Sequence, residues 1–249
     1  MPDAAHTEVL RYKAGGAELA SYLAYDPQRM GKRPGIIVLP EWWGLNDYLR
    51  RRARELAALG FVAIATDVYG DGREAADPAE AGKLMGGLFA NVPATGEKLT
   101  AAYEQLRQHP LVDPDRIGAM GFSAGGHLAA RLSTLGGPAT YARIDEADDQ
   151  PLRPDFALLV YPAYLDQGLA KLVDAKTAPT FIAHAEDDKG FIKGSKLYHE
   201  ALVTAKVPSD FFRVATGGHG HGLRSAKEIK AWPDRGEAWL RAIGVLAAR

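Results

Sequence analysis

Short apolar strands alternate with amphipathic helices along most of the 249-residue chain, and this alternation restricts the possible folds more than any other feature. The runs "PGIIVLP", "FVAIATDV" and "RIGAMGF" are continuously apolar, which is typical of strands buried on both faces. Helical patterns lie between them. The first, "YLRRRARELAALG", has Asn46 or Asp47 as its N-cap and ends at Gly60. The alternation predicts an α/β fold in which a mostly parallel central sheet carries helices on both faces.

The composition restricts the partners that this chain can have. It contains no cysteine, which excludes disulfides, zinc–thiolate sites and a cysteine nucleophile. The formal net charge is -1, with Lys and Arg scattered along the sequence, which argues against a nucleic-acid or membrane partner. The N-terminus lacks a signal-peptide pattern and no apolar run approaches membrane-spanning length, so a cytoplasmic location is expected. No linker or repeat interrupts residues 1–249, which are expected to form a single domain.

A serine stands between a predicted strand and a predicted helix in "RIGAMGFSAGGHLAARLS". Within this stretch "GFSAG" fits the pattern Gly-x-Ser-x-Gly, in which a nucleophilic serine lies on a sharp strand-to-helix turn and glycines allow the neighbouring backbone to approach closely. The alternative is a glycine-rich turn in which Ser123 only caps the helix. The position between a buried strand and a helix favours Ser123 as a nucleophile.

A serine nucleophile needs a base to take its proton and an acid to orient that base. In this type of fold the chain order is serine, acid, histidine, and both partners follow later strands here. Asp187 or Asp188 in "PTFIAHAEDDKGF" is the acid, and Asp188 is favoured because it lies further past the strand. His219 or His221 in "FFRVATGGHGHGLR" is the base. His219 is favoured, with His221 as a residue that lines the cleft.

The remaining acid and two further histidines have simpler explanations. Asp187 is expected to stay solvated or to cap the following helix. His127, on the helix after the serine, is expected to be packed or partly exposed. His184 lies within a predicted buried strand. Neither histidine requires a catalytic explanation.

An oxyanion hole needs two N–H donors that point at the developing negative charge. One is expected to be the backbone N–H of Ala124, directly after the serine, and the other that of Trp42 in the loop "EWWGLND". Glu41 is expected to orient this loop or the resting serine hydroxyl. Trp43 either packs in the protein or contacts the substrate, and the same alternatives hold for Tyr161.

The first 115 residues or so resemble dienelactone hydrolases in "GIIVLPEWWGLNDYLRRRARELAALGFVAIATDVYGDG" and "PLVDPDRIGAMGF". That family carries a glutamate at the position of Glu41 and takes an oxyanion N–H from the position of Trp42. It usually has a cysteine nucleophile, where this chain has Ser123. The resemblance also places arginines near the substrate carboxylate. Arg224 is a candidate for that role, whereas Arg73 is expected to lie on the solvated surface.

The second half resembles acetyl- and feruloyl-esterase-like serine hydrolases in "GFSAGGHLAARLS", "RPDFALLVYPAYL", "FIAHAEDDKGF" and "GGHGHGLR". This resemblance implies Asp188 as the acid and His219 as the base. Those esterases usually carry a His-Gly-Gly-Gly type oxyanion loop, where this chain has "LPEWWG". The sequence is therefore interpreted as an α/β-hydrolase that is a possible chimera of two families, joined near residues 115–123.

The residues predict a serine carboxylic-ester hydrolase that acts on small acyl esters through an acyl-enzyme intermediate. A dienelactone hydrolase, acting on a lactone, is the first alternative. A non-catalytic binding protein with a hydrolase fold is the second, because a fold by itself does not establish a function. No metal or organic cofactor is implied. The expected partner is a small-molecule ester or lactone, and the expected state is a monomer or a homodimer.

Overall fold

A computed structural model describes residues 5–134 and 153–247 of the chain. The described residues form two compact units, one of residues 5–118 and one of residues 119–134 with 153–247. The fifth strand, β5 (Val112–Phe122), contributes residues to both. The prediction of a single domain stays a prediction.

Four strands and the first part of β5 make up the sheet of the first unit. The four strands are β1 (His6–Ala14), β2 (Ala17–Tyr25), β3 (Arg33–Leu39) and β4 (Val62–Ala65). Their order is β1-β2-β4-β3-β5. The β1–β2 and β2–β4 pairs are antiparallel, whereas β3 and β4 are parallel, with Ile37 opposite Ile64. A two-residue turn of glycines joins β1 to β2, as the sequence predicts for a hairpin.

Three helices belong to the first unit: α1 (Asp47–Leu59), α2 (Pro78–Ala90) and α3 (Val92–Arg107). The sequence signals at the ends of α1 are confirmed, since the Asn46 side chain accepts a hydrogen bond from the Leu49 N–H and Gly60 adopts φ 111°. Helix α3 begins at Val92. The proline in its first turn is compatible with this start, because N–H groups there have no partner within the helix.

The second unit contains the end of β5 and three further strands, β6 (Phe156–Val160), β7 (Thr180–Ala185) and β8 (Ser209–Val214). Their order in the sheet is β5-β6-β7-β8. The β6–β7 and β7–β8 pairs are parallel. Every residue of β6 and β7 is buried, as expected for strands in the middle of a sheet. The helices are α4 (Ala124–Thr134), α5 (Ile192–Thr204) and α6 (Trp232–Ala242), with 3₁₀ turns at Leu169–Leu172 and Glu228–Ala231.

The predicted mostly parallel α/β architecture is confirmed by this strand order and pairing. All seven residues of β3 are buried, and the six after Arg33 belong to the continuously apolar run "PGIIVLP". Among the helices that the structure describes, none combines the length and the apolar character required to cross a bilayer.

Candidate active site

Ser123 occupies the sharp turn between β5 and α4. Its backbone φ is +53°, a left-handed conformation that is unusual for a residue other than glycine. Its N–H donates to the carbonyl of Val160 on the neighbouring strand at 3.1 Å, which fixes the turn to the sheet. The turn is so tight that a β-carbon on Gly121 would lie 2.0 Å from the Gly125 carbonyl oxygen. Gly121, the first glycine of the "GFSAG" motif, is therefore required by the close approach of the backbone.

Three predicted site residues come together in the second unit. The Ser123 Oγ lies 2.7 Å from the His219 Nε2, and the His219 Nδ1 lies 2.6 Å from the Asp188 Oδ2. Asp188 is the adjacent acid that reaches the imidazole, and His219 is the histidine that reaches the serine. The ring of His219 is partly open to solvent, whereas Asp188 is buried. This order of groups can move a proton between the serine hydroxyl and the imidazole.

Asp187 is exposed, as predicted, and it also has a role that the sequence did not predict. Its Oδ1 accepts hydrogen bonds from the backbone N–H groups of Gly217 and Gly218, at 2.9 and 2.7 Å. These two residues directly precede His219. The hydrogen bond from Gly218 is the main cause that lowers the pKa of Asp187, so the carboxylate is ionised when it holds the loop. Of the two adjacent acids, Asp188 contacts the His219 imidazole and Asp187 contacts the backbone of the loop that carries it.

The sequence did not reveal a second histidine that contacts Asp188. The His184 Nε2 lies 2.7 Å from the Asp188 Oδ2, and its Nδ1 lies 2.8 Å from the Ser195 Oγ on α5. His184 and Ser195 are fully buried. Burial alone would raise the pKa of Asp188, but hydrogen bonds from His184 and His219 lower it well below its ordinary value. The only signal in the sequence was a titratable residue inside the apolar run of β7.

An aromatic surface surrounds the His219 imidazole. Its ring centroid lies 5.3 Å from that of Tyr161 and 4.7 Å from that of Phe191. Tyr161 is fully buried and also contacts His221, with a centroid distance of 4.3 Å. His221 is buried too, and this burial lowers its pKa to about 4. The rings of Tyr161 and Phe191 restrict the positions that His219 can adopt.

Glu41, Trp42 and Trp43, which are also predicted site residues, belong to the first unit. Trp42 and Trp43 form a turn after β3, with ring centroids 5.2 Å apart, and the Trp42 carbonyl accepts a 2.8 Å hydrogen bond from the Tyr69 hydroxyl. Glu41 is half-buried at the start of this turn. Trp42 belongs to the first unit and Ala124 to the second, and their pairing in an oxyanion hole stays a prediction.

The resemblance to dienelactone hydrolases directs attention to Arg224 and Arg73. Arg224 is exposed and donates to the Gly220 carbonyl at 2.8 Å, so it belongs to the loop that carries both His219 and His221. Arg73 pairs with the Glu80 carboxylate at the surface of the first unit, in agreement with its predicted surface role.

Within the described ranges, His184, Asp188 and His219 form a group whose ligand-type atoms all lie within 4.8 Å of one another. The carboxylate accepts from both imidazoles, so the nitrogen atoms that face it carry protons. A metal ion could bind these nitrogens only after displacing both protons. The hydrogen-bonded arrangement fits proton transfer better than metal coordination.

Solved structures and curated proteins resemble this chain over different lengths. A dienelactone hydrolase-like promiscuous phosphotriesterase from metagenomic libraries has a TM-score of 0.77, with 23% identity over 95% of this chain and 98% of that one, which shows the shared fold. "Putative carboxymethylenebutenolidase" of Aquifex aeolicus is 32% identical over 95% of this chain and 96% of its own length. "Protein usf" of Aquifex pyrophilus is 33% identical, but the match covers 49% of this chain and about half (53%) of that protein.

The model of the dienelactone hydrolase family matches residues 19–248. This match, like the alignment over 246 residues with the Aquifex aeolicus protein, runs across the predicted junction at residues 115–123. The interpretation as a chimera with a separate esterase-like C-terminal half is therefore not supported, because one family accounts for both halves. The α/β-hydrolase fold class is confirmed by the same comparisons. The chain belongs to the dienelactone hydrolase family.

Proposed function

We propose that this protein is a serine hydrolase that cleaves small carboxylic esters through an acyl-enzyme intermediate on Ser123. The observation that supports the proposal most strongly is the unbroken hydrogen-bond path from the Ser123 Oγ through His219 to Asp188, with distances of 2.7 and 2.6 Å. A carboxylate that only accepts leaves the Nδ1 of His219 protonated. The Nε2 lone pair then faces the serine hydroxyl and can act as the base.

The reaction proceeds in two steps. The Ser123 Oγ attacks the acyl carbon while its proton moves to the His219 Nε2. The imidazolium returns this proton to the leaving alcohol, and the bond between the acyl carbon and the alcohol oxygen breaks. Water then attacks the acyl-enzyme with His219 again as base, which releases the acid and restores the serine. Asp188 holds the imidazole tautomer and stabilises the imidazolium.

The oxyanion hole and the substrate pocket complete the proposal. The backbone N–H groups of Ala124 and Trp42 stabilise the oxyanion, which is the usual arrangement when a serine lies on a strand-to-helix turn. Glu41 orients the loop of Trp42. The residues assigned to the substrate pocket are Glu41, Trp43, Tyr161, His221 and Arg224. No cofactor takes part in these steps.

A lactone substrate is a second candidate that has its own support. The chain belongs to the dienelactone hydrolase family, and a relative aligned over 95% of this chain is named a carboxymethylenebutenolidase. A lactone is a cyclic ester, so the same serine chemistry opens it without change. The two candidates differ only in the shape and charge of the substrate that the pocket accepts.

The test compares the native protein with Ser123→Ala on p-nitrophenyl acetate and on a dienelactone. Loss of turnover on both substrates, with Ser209→Ala fully active as a control, is expected. The preferred substrate of the native protein then distinguishes an esterase from a lactonase. Turnover by Ser123→Ala at the native rate would contradict the proposal, and no turnover by the folded native protein would favour a non-catalytic binding protein.

A fluorophosphonate reagent, which phosphonylates activated serines, provides a second readout that does not depend on the substrate. Cleavage after Arg116 and Arg131 releases the peptide "IGAMGFSAGGHLAAR", in which Ser123 is the only hydroxyl side chain. Mass spectrometry should find the adduct on this peptide. An adduct on a different serine would contradict Ser123 as the nucleophile.

A further inference from the structure

Two histidines from different parts of the second unit meet at one oxygen atom. The Asp188 Oδ2 lies 2.6 Å from the His219 Nδ1 and 2.7 Å from the His184 Nε2. The three-residue mechanism proposed above uses only the first of these contacts. The second is made by a fully buried side chain, in a position that substrate does not reach.

The protons in this cluster follow from the chemistry of its members. An ionised carboxylate only accepts, so the His184 Nε2 carries a proton. Burial lowers the pKa of His184, which favours the neutral ring with a bare Nδ1. The Ser195 hydroxyl, 2.8 Å away, then donates to that Nδ1. Ser195 thereby selects the tautomer of His184 that donates to Asp188.

We propose that His184 is a positioning residue for His219, acting through the shared oxygen of Asp188, and that Ser195 supports it by selecting its tautomer. This inference rests on the proposed function. Asp188 is 6% exposed, so its charge requires buried donors. The hydrogen bond from the His184 Nε2 fixes the direction in which the Asp188 carboxylate points. It also draws electron density from the Asp188 Oδ2, which therefore accepts less strongly from the His219 Nδ1.

Two substitutions at His184 separate the hydrogen bond from the volume of the side chain. His184→Met fills similar space without a donor, and His184→Gln places an amide N–H near the position of the Nε2 proton. For His184→Met we expect kcat to fall on the order of 10- to 100-fold with KM little changed, because a misplaced base costs about that much. His184→Gln is expected to recover most of this loss. Ser195→Ala should cost less, because Asp188 still requires the Nε2 proton.

Proton NMR of the native enzyme with ¹⁵N-labelled histidine reports the cluster directly. Two low-field imidazole N–H signals are expected, one from the His219 Nδ1 and one from the His184 Nε2. The second should disappear in His184→Gln, while the first stays close to its native position, because an amide N–H still donates to the acceptor oxygen. In His184→Met the first should move, because its acceptor oxygen loses a donor and gains electron density. A first signal that does not move in His184→Met would overturn the proposal.

The outcomes distinguish this inference from the proposed function. If Ser123→Ala is as active as the native enzyme, the proposed function is wrong. If Ser123→Ala is inactive but His184→Met keeps the native kcat and KM, the positioning role is wrong. If His184→Met does not fold, the decision rests on the kcat and the His219 signal of His184→Leu, which also has no donor. Native values for both in that variant would overturn the role of His184.

Discussion

The Asp187 Oδ1 accepts a 2.7 Å hydrogen bond from the backbone N–H of Gly218, the residue directly before His219. A second N–H, from Gly217, reaches the same oxygen at 2.9 Å. The loop that carries His219 is therefore held by Asp187, and the adjacent Asp188 contacts the His219 imidazole. Because both acids follow β7, one short turn controls the position and the orientation of the imidazole.

The hydrogen bonds of Asp187 lead to a prediction about the rate. Asp187→Ala should lower kcat/KM on the order of 10- to 100-fold, since a displacement of about 1 Å at a catalytic group has this effect. Asp187→Asn keeps an acceptor oxygen and should retain most of the activity. Steady-state kinetics of both variants provides the test. Equal rates for Asp187→Ala and the native enzyme would contradict a role of Asp187 in holding the loop.

Lys227 provides a matched control for this experiment. Its Nζ lies 3.7 Å from the Asp187 Oδ2, and both side chains are well exposed. Lys227→Ala removes this ion pair but leaves both backbone hydrogen bonds in place. Because exposed ion pairs contribute little, kcat/KM should stay within about twofold of the native value.

The left-handed backbone at Ser123 leads to a prediction about stability. Both Ser123→Ala and Ser123→Gly remove the hydroxyl, but only glycine adopts φ +53° without steric cost. Ser123→Gly should therefore be more stable than Ser123→Ala by about 1 kcal/mol, the reverse of the usual order in regular structure. Urea unfolding monitored by circular dichroism measures the difference. An alanine variant at least as stable as the glycine variant would show that the turn is unstrained.

Two glycines, one in strand β5 and one in helix α2, should respond in opposite ways to alanine. Gly121→Ala places a β-carbon 2.0 Å from the Gly125 carbonyl oxygen, so the strand-to-helix turn must shift. We expect a loss of at least about 3 kcal/mol, typical of severe overpacking. Gly86 lies on α2 with no atom within 4 Å of its added β-carbon, and Gly86→Ala should stabilise the protein by about 0.5–1 kcal/mol. Urea unfolding of both variants tests the pair, and similar effects of the two substitutions would contradict it.

His127 leads to a prediction about pH. Burial lowers its pKa to about 4, and the nearby Arg131 adds to this shift. The unfolded chain takes up a proton near pH 6.5, so stability falls as the pH drops from about 6.5 towards 4. Between pH 7 and pH 5, His127→Gln should lose about 2 kcal/mol less than the native protein. The free energy of unfolding at both pH values provides the check. An equal loss in both proteins would mean that His127 is not buried in its neutral form.

Local patterns predicted the fold, and they pointed to three residues that the structure brings within hydrogen-bond distance of one another. The ends of α1 followed from Asn46 and Gly60, because capping depends on a few neighbouring residues. The turn at Ser123 followed from glycines at fixed spacing. The choice of Asp188 and His219 followed from their order after successive strands, since the carboxyl ends of parallel strands lie at one edge of a sheet.

The contacts of Asp187 and His184 could not be predicted in the same way. Asp187 contacts backbone groups 30 and 31 residues away, and a backbone N–H has no signature in the sequence. His184 lies in a buried strand, where a neutral, packed histidine gives the same pattern as one that holds a carboxylate. The partner of His184 on α5, Ser195, depends on how a helix packs against the sheet. Hydrophobic periodicity predicts which face packs but not which polar atoms meet.

The cluster around Asp188 reads the same from either end: serine, histidine, aspartate, histidine, serine. Ser195 and His184 repeat the chemical order of Ser123 and His219, and both pairs end on one carboxylate oxygen. The two serines differ in exposure, since Ser195 is fully buried and Ser123 is partly open. Ser195 therefore has a histidine and an aspartate behind it, as Ser123 does, but it has no access to a substrate. Under the proposed function, access to an acyl group decides which of the two hydroxyls becomes the nucleophile.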